Sequence, residues 1–177
     1  SIDVEFLCSN WYLSFTNPYS VSVKNHAQLH FFLVANTAST TDFENVGVGL
    51  DLATDSAPFP FTNIFTGANL TNIRAARYAS TASTGAVFSF IDCDKIIMNN
   101  CIAETFGAAA TTERGITATY AFALNRVSNS EMNNCGAICG FVLLSTTNGI
   151  TINNYKYAER LNGTTTATIP VSMFSLS

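Results

Sequence analysis

Asp92 and Asp94 are the side chains of this 177-residue sequence best placed to do chemistry. At positions i and i+2 of an extended segment both leave the same face, with about 6.5–7 Å between their Cα atoms. Carboxyl groups roughly 5 to 9.5 Å apart are the working pair of glycoside hydrolysis, one donating a proton while the other acts as nucleophile or base. With Arg126 beside them they make a candidate catalytic set for a polysaccharide hydrolase or lyase. The plainer reading is an ion pair, because the internal alignment developed below places Asp92 beside Arg126.

Glu104, Glu113 and Arg114 form the second candidate set. They lie in or beside a segment, Glu104–Thr119, that reads as an insertion, and loops on a rigid scaffold are where ligand-binding residues concentrate. An Ala-rich excursion touching only solvent or a neighbouring subunit is the alternative. Tyr78, Tyr120, Tyr155 and Tyr157 offer flat faces for sugar rings, against the simpler reading that they pack internally. His26 and His30 have i, i+4 spacing, but no HExxH glutamate and no third ligand accompany them, so no metal site is expected. The five cysteines (Cys8, Cys93, Cys101, Cys135, Cys139) contain no CxxC pair and read as buried free thiols. No serine stands in a Gly-x-Ser-x-Gly elbow, and nothing calls for a cofactor.

Composition narrows the setting in which such residues would act. Only 11% of residues are charged, while the chain contains 14 Phe and a net charge of −4. An ordinary globular domain has roughly 25% charged residues, so hydroxyls and amides must carry the exposed surface. That suits an extracellular or virion protein better than a cytosolic enzyme. Eight Lys and Arg spread along an acidic chain form no patch for a phosphate backbone, which argues against nucleic acid as partner. No apolar run of about 18 residues marks a membrane-spanning helix. The first residues, SIDVEFLCSN, lack the features of a secretory signal, although a sequence starting at Ser says little about export.

The elements that would hold these residues are visible as a repeat. Phe88–Cys101 (FSFIDCDKIIMNNC), Phe122–Cys135 (FALNRVSNSEMNNC) and Phe141–Tyr155 (FVLLSTTNGITINNY) share alternating apolar positions closed by paired asparagines. Self-similarity at roughly 20 to 50 residues predicts stacked, quasi-one-dimensional architecture, here of roughly six to eight coils. Asn99 to Asn133 spans 34 residues and Asn133 to Asn153 spans 20, so a coil of about 20 with an insertion of about 14 at Glu104–Thr119 accounts for both. Ile96/Met98, Ser130/Met132 and Ile150/Ile152 alternate as one inward wall. Phe88/Phe90, Phe122/Leu124 and Val142/Leu144 make an earlier wall, with Phe141/Leu143 as an alternative alignment of the third coil. Cys101/Ala103, Cys135/Ala137 and Tyr155/Tyr157 make a third. Asn99–Asn100, Asn133–Asn134 and Asn153–Asn154 fall where the chain must bend, and asparagine tolerates left-handed backbone there and can link its amides into a ladder.

This pattern resembles the right-handed parallel β-helix, the pectate-lyase-like fold also found in bacteriophage tailspikes and tail fibres. The resemblance covers about Phe88–Glu159 and rests on hydrophobic-x-hydrophobic strands closed by NNC or NNY corners. It implies a virion attachment protein, a homotrimer, and polysaccharide at the cell surface as partner, alongside other tail proteins. The catalytic signatures of the pectin-cleaving members, Arg-x-Pro-x-x-Arg, Asn-Thr-Asp and Gly-His-Gly, are not visible in the sequence.

The expected organisation is therefore all-β: an N-terminal cap or junction over 1–45, parallel β-helix coils over 46–160, and a C-terminal capping or oligomerisation tail over 161–177. Lys24–Phe31 reads as a short helix within the cap, Pro58–Pro60 as a turn or edge, and Leu70–Ala76 as an imperfect earlier coil. Three functions follow: glycan attachment, polysaccharide cleavage, or a structural subunit of a filament or shell.

Overall fold

Side chains that alternate between apolar and polar can satisfy both a core and water only from an extended backbone, and this alternation sets the fold. In the computed structural model the described residues are 2–4, 11–35, 37, 41–48, 59–79, 86–107, 120–138, 141–158 and 174–176. They contain strands and no helix: β1 (Ile2–Val4), β2 (Trp11–Thr16), β3 (Val21–Ala35), β4 (Thr41–Val48), β5 (Phe59–Thr62), β6 (Ala68–Thr71), β7 (Arg74–Ala79) and β8 (Ala86–Asp94). These are followed by β9 (Ile96–Asn99), β10 (Ile102–Gly107), β11 (Tyr120–Asn133), β12 (Gly136–Ile138), β13 (Phe141–Ser145), β14 (Asn148–Asn153), β15 (Lys156–Ala158) and β16 (Phe174–Leu176). Every pairing among them is parallel, and together they form one large sheet system.

The register follows the repeat. Met132 pairs with Met98 on one side and Ile152 on the other, giving one inward column. Phe122 sits between Phe88 and Val142, and Leu124 between Phe90 and Leu144, so the Phe141/Leu143 alignment does not hold. Between Tyr120 and Phe122 the register with β13 shifts, so that Ala121 has no partner residue in that strand. Ala137 lies between Ala103 and Tyr157 on the third wall. Leu70 pairs with Met98, so β6 extends the same inward column upstream. The same pairing reaches into the first 45 residues, where Val21–Lys24 runs beside Thr41–Glu44.

Packing between the walls is aromatic-rich. Phe43, Phe61, Phe88, Phe90 and Phe122 are fully buried, and each such side chain contributes about 1.5–3 kcal/mol over the exposed state. Parallel register places like on like: the Phe88 and Phe122 rings stack at 4.8 Å and 8°, the Phe61 and Phe90 rings at 5.1 Å and 14°. Phe43 meets Phe61 edge-on at 5.6 Å. Strands β6 and β9 show the alternation directly, with Ala68, Leu70, Ile96 and Met98 buried and their neighbours turned outward.

The chain bends at columns of left-handed residues. One contains Asn25, Asn45, Asn72, Asn100, Asn134 and Asn154, all with φ between 53° and 56°. A second contains Asn17, Asn63, Asp92, Arg126 and Thr146, and a third Gly67, Lys95, Asn129 and Gly149. Register connects the members of each: Thr71 pairs with Asn99 and Glu44, which puts Asn72 between Asn100 and Asn45.

Three sequence expectations change. Lys24–Phe31 is not helical but lies inside β3. Its Ala, Gln and Leu favour helix locally, yet Asn25 at φ 56° breaks any helix there and pairing with β4 supplies the backbone bonds instead. Pro60 lies in a strand and not in a turn; β5 pairs with β8 at Pro60 and with β3 only from Phe61 onward, so Pro60 keeps one edge side, and Pro58 lies outside the described residues. The pairing with β3 thus begins one residue after the position that lacks a donor. Glu104 sits in strand β10, which runs on to Gly107, and not in a loop; residues 108–119 of the inserted segment, with Glu113 and Arg114, lie outside the described residues, as do Cys8, Cys139 and residues 159–173.

Candidate functional site

One corner column brings Asp92 and Arg126 together, while Asp94 makes its contacts with Ser128 and Asn129. Asp92 and Arg126 occupy successive positions of one column, because Ile91 and Asn125 are paired strand residues immediately before them. The guanidinium grips the carboxylate with two bonds, Nε to Oδ1 at 2.5 Å and Nη2 to Oδ2 at 2.7 Å, and its Nη1 reaches the Asn125 side-chain oxygen at 3.4 Å. The ion pair expected from the alignment is present. Asp92 has φ 55°, so the segment from Asp92 to Asp94 is not extended, and the same-face spacing assumed for an ideal strand does not describe it. Asp94 instead accepts hydrogen bonds from Ser128 Oγ and Asn129 Nδ2, both at 2.8 Å.

The electrostatics follow from these bonds. Hydrogen bonding and charge from Arg126 hold the Asp92 carboxyl below its ordinary value of 3.8. Asp94 is lowered as well, chiefly by Asn129, then Ser128 and Lys95. Both groups are ionised at neutral pH, and a glycosidase general acid needs the opposite shift. The two aspartates can accept hydroxyl protons in hydrogen bonds; neither holds a proton to give. Arg126 is pushed further toward its charged form by Asp92.

Glu104 belongs to another wall, where Arg74 Nη2 donates to its Oε2 at 3.0 Å. Register carries this contact, since Glu104 pairs with Ala76 and Ile102 with Arg74 in adjacent strands. A shallow groove of about 830 Å³ lies nearby, lined by Asn100, Ile102, Asn134, Ile138, Lys156 and Tyr157 among others. Gly136 lies in it because a Cβ there would meet the Lys156 backbone oxygen at 2.7 Å.

The asparagine ladder is longer than the NN motif indicates. Asn45 donates to Asn25 at 3.0 Å, Asn72 to Asn45 at 3.0 Å, Asn100 to Asn72 at 3.2 Å and Asn154 to Asn134 at 3.2 Å. A second ladder runs beside it, with Asn133 donating to Asn99 at 3.3 Å and Asn153 to Asn133 at 2.9 Å. Only the second residue of each pair takes the left-handed corner; the first ends the preceding strand. Asn25, Asn45 and Asn72 escape a search for paired asparagines because Lys24, Glu44 and Thr71 precede them. Their common signal is an Asn closing an apolar-x-apolar-x strand.

The tyrosines and cysteines take the plainer reading where described. Tyr155 packs edge-on against Phe122 at 6.2 Å, and Tyr157 is half-buried against the core. Cys93, Cys101 and Cys135 are buried free thiols; burial pushes the Cys93 thiol up to about 11 and also raises Cys101. Their Sγ atoms lie against backbone carbonyls, Cys101 on Leu70 at 3.5 Å and Cys135 on Met98 at 3.6 Å. Among the described residues no three His, Cys, Asp or Glu side chains converge on a metal position, and no helix is long and apolar enough to cross a membrane. The side chains of His26 and His30 lie outside that description.

Comparison with protein-family models, with curated proteins and with solved structures finds no match for this chain.

Proposed function

We propose that the parallel strands are the walls of a right-handed β-helix, and that the protein is an attachment or structural component of a virion or another extracellular assembly that binds cell-surface glycans. The observation that carries this reading is the continuous in-register stacking of buried columns beneath an outer surface of amides and hydroxyls. Right-handedness is supported by the rule that crossovers between parallel strands take that hand in about 98% of cases. A stack with few charges and many fixed amides suits rigid presentation of hydrogen-bonding groups to a sugar chain. Association as a homotrimer, contact with other virion or tail proteins, and ligand contact through Glu113 and Arg114 of the inserted segment belong to the same reading.

Cleavage of polysaccharide is the second reading, favoured by the contact of Asp92 with Arg126 two residues before Asp94. It is the weaker one because both carboxylates are shifted toward the ionised form. The test is adhesion of the purified protein to cells. Replacing residues 108–119 by a short Gly-Ser linker is expected to reduce adhesion while the thermal transition persists. Unchanged adhesion removes the inserted segment from the site, and release of reducing ends or of a new double bond from polysaccharide would favour the enzyme. Sedimentation checks assembly, since a closed trimer gives one species and a filament subunit a growing distribution.

A further inference from the structure

Among the described residues two aromatic rings stand in water, while five phenylalanines are buried completely. Tyr19 is 72% and Phe65 61% exposed, whereas Phe43, Phe61, Phe88, Phe90 and Phe122 are at most 1% exposed. We propose that Tyr19 and Phe65 form a stacking platform for the pyranose rings of a polysaccharide chain. This rests on the glycan-binding reading above but assigns it a different place from the inserted segment.

The two rings are equivalent by construction of the backbone. Each is the second residue after a left-handed asparagine, Asn17 or Asn63, both at φ 54°. Each follows a buried anchor, Pro18 beneath Tyr19 and Ile64 beneath Phe65. Thr16 pairs with Ala35 and Ala35 with Thr62, so the two corners belong to one column, two strand spacings apart. At 4.7–4.9 Å per spacing their backbones are separated by about 9–10 Å.

The surroundings favour sugar over protein. Asn17, two residues before Tyr19, and Asn63 and Thr66, flanking Phe65 in sequence, are exposed, so each ring has polar neighbours along the chain. A pyranose presents the complement, a C–H face edged by hydroxyls. A protein partner would call for a contiguous apolar patch, which two rings two spacings apart do not supply. One strand spacing beyond Phe65 the same edge carries Asp94, whose backbone N–H donates to the Ile64 carbonyl at 2.8 Å. An ionised carboxylate has about four acceptor positions, and Asp94 uses three, on Ser128, Asn129 and the Lys95 backbone. Capacity therefore remains for a hydroxyl of a sugar lying along the edge.

Affinity electrophoresis in gels cast with dextran, mannan, galactomannan or alginate tests the platform. At least one polysaccharide is expected to retard the protein. Tyr19→Ala/Phe65→Ala should weaken that retardation by about tenfold or more in apparent dissociation constant, with the thermal midpoint unchanged, while Tyr19→Phe keeps it because the stacking face survives. Wild-type retardation of the double alanine variant overturns the platform; if the Gly-Ser replacement of 108–119 then abolishes it, the glycan reading stands without the ridge. Retardation by none of the four overturns both. A shift of the double variant from oligomer to monomer in sedimentation identifies the rings as a subunit contact and also overturns the proposal.

Discussion

A single hydroxyl repairs the backbone where two strands meet imperfectly. Ser130 is 1% exposed in a column otherwise filled by Ile96 and Ile150, and its Oγ accepts the Ile96 N–H at 2.9 Å while donating to the Ser128 carbonyl at 2.7 Å. In the preceding pair the Ala68 N–H finds the Lys95 backbone oxygen directly. Asn129, at φ 47°, precedes Ser130, and there the side chain takes the carbonyl's place. Ser130→Ala is expected to orphan a buried donor and lower unfolding free energy by about 1–3 kcal/mol, read from denaturant midpoints at constant m. The spacing of residues placed Ser130 on the inward face, but its acceptor role depends on a corner geometry that spacing alone does not contain. At the surface, Asp92 and Asp94 both have folded-state values below 3.8. A lowered folded value gives stabilisation that is complete above the unfolded value and is lost as pH falls through the folded one. The thermal midpoint of the wild type should therefore fall faster below pH 3.8 than that of Asp92→Asn/Asp94→Asn; parallel curves would show that these contacts do not couple to folding. Because Asp92 pairs at an exposed site, the difference is expected to be small.

Corners, more than strands, determine how the chain turns from wall to wall. Asn100 combines two properties, φ 54° and an amide that donates to Asn72, and its backbone N–H donates to the Asn133 carbonyl at 2.9 Å. Substitutions separate the two. Asn100→Gly keeps the left-handed backbone and loses the side-chain bond, whereas Asn100→Ala loses both and adds about 1–2 kcal/mol of conformational strain. Calorimetry should rank wild type above Asn100→Gly above Asn100→Ala; equal losses in the two variants would leave the ladder, not the backbone, as the dominant effect. The strand walls of β8, β9 and β11 were readable from alternation because the core demands it. The corners of β3 and β4 were not, since a lone Asn after Lys24 or Glu44 looks like any polar residue. The misread helix at Lys24–Phe31 has the same origin: its composition is helical, and only the non-local pairing with Thr41–Val48 decides otherwise.

In the whole molecule, each strand segment touches chiefly the segments before and after it, so local damage should spread by neighbours and not uniformly. The column Leu70, Met98, Met132, Ile152 makes this measurable. The first three side chains are completely buried, while Ile152 is half-buried and β14 has β11 as its sheet partner. Amides of Ile150–Asn153 should accordingly exchange faster than those of β9 in the wild type. Met132→Ala leaves a cavity worth about 2–5 kcal/mol in that column. If stacking is nearest-neighbour, hydrogen exchange monitored by mass spectrometry will show the largest loss of protection in β11, β9 and β14, a smaller one in β6, and the least in β4. An equal loss at every strand would mean that the walls unfold as one cooperative body, and the description of the sheet as stacked repeats would no longer explain its stability.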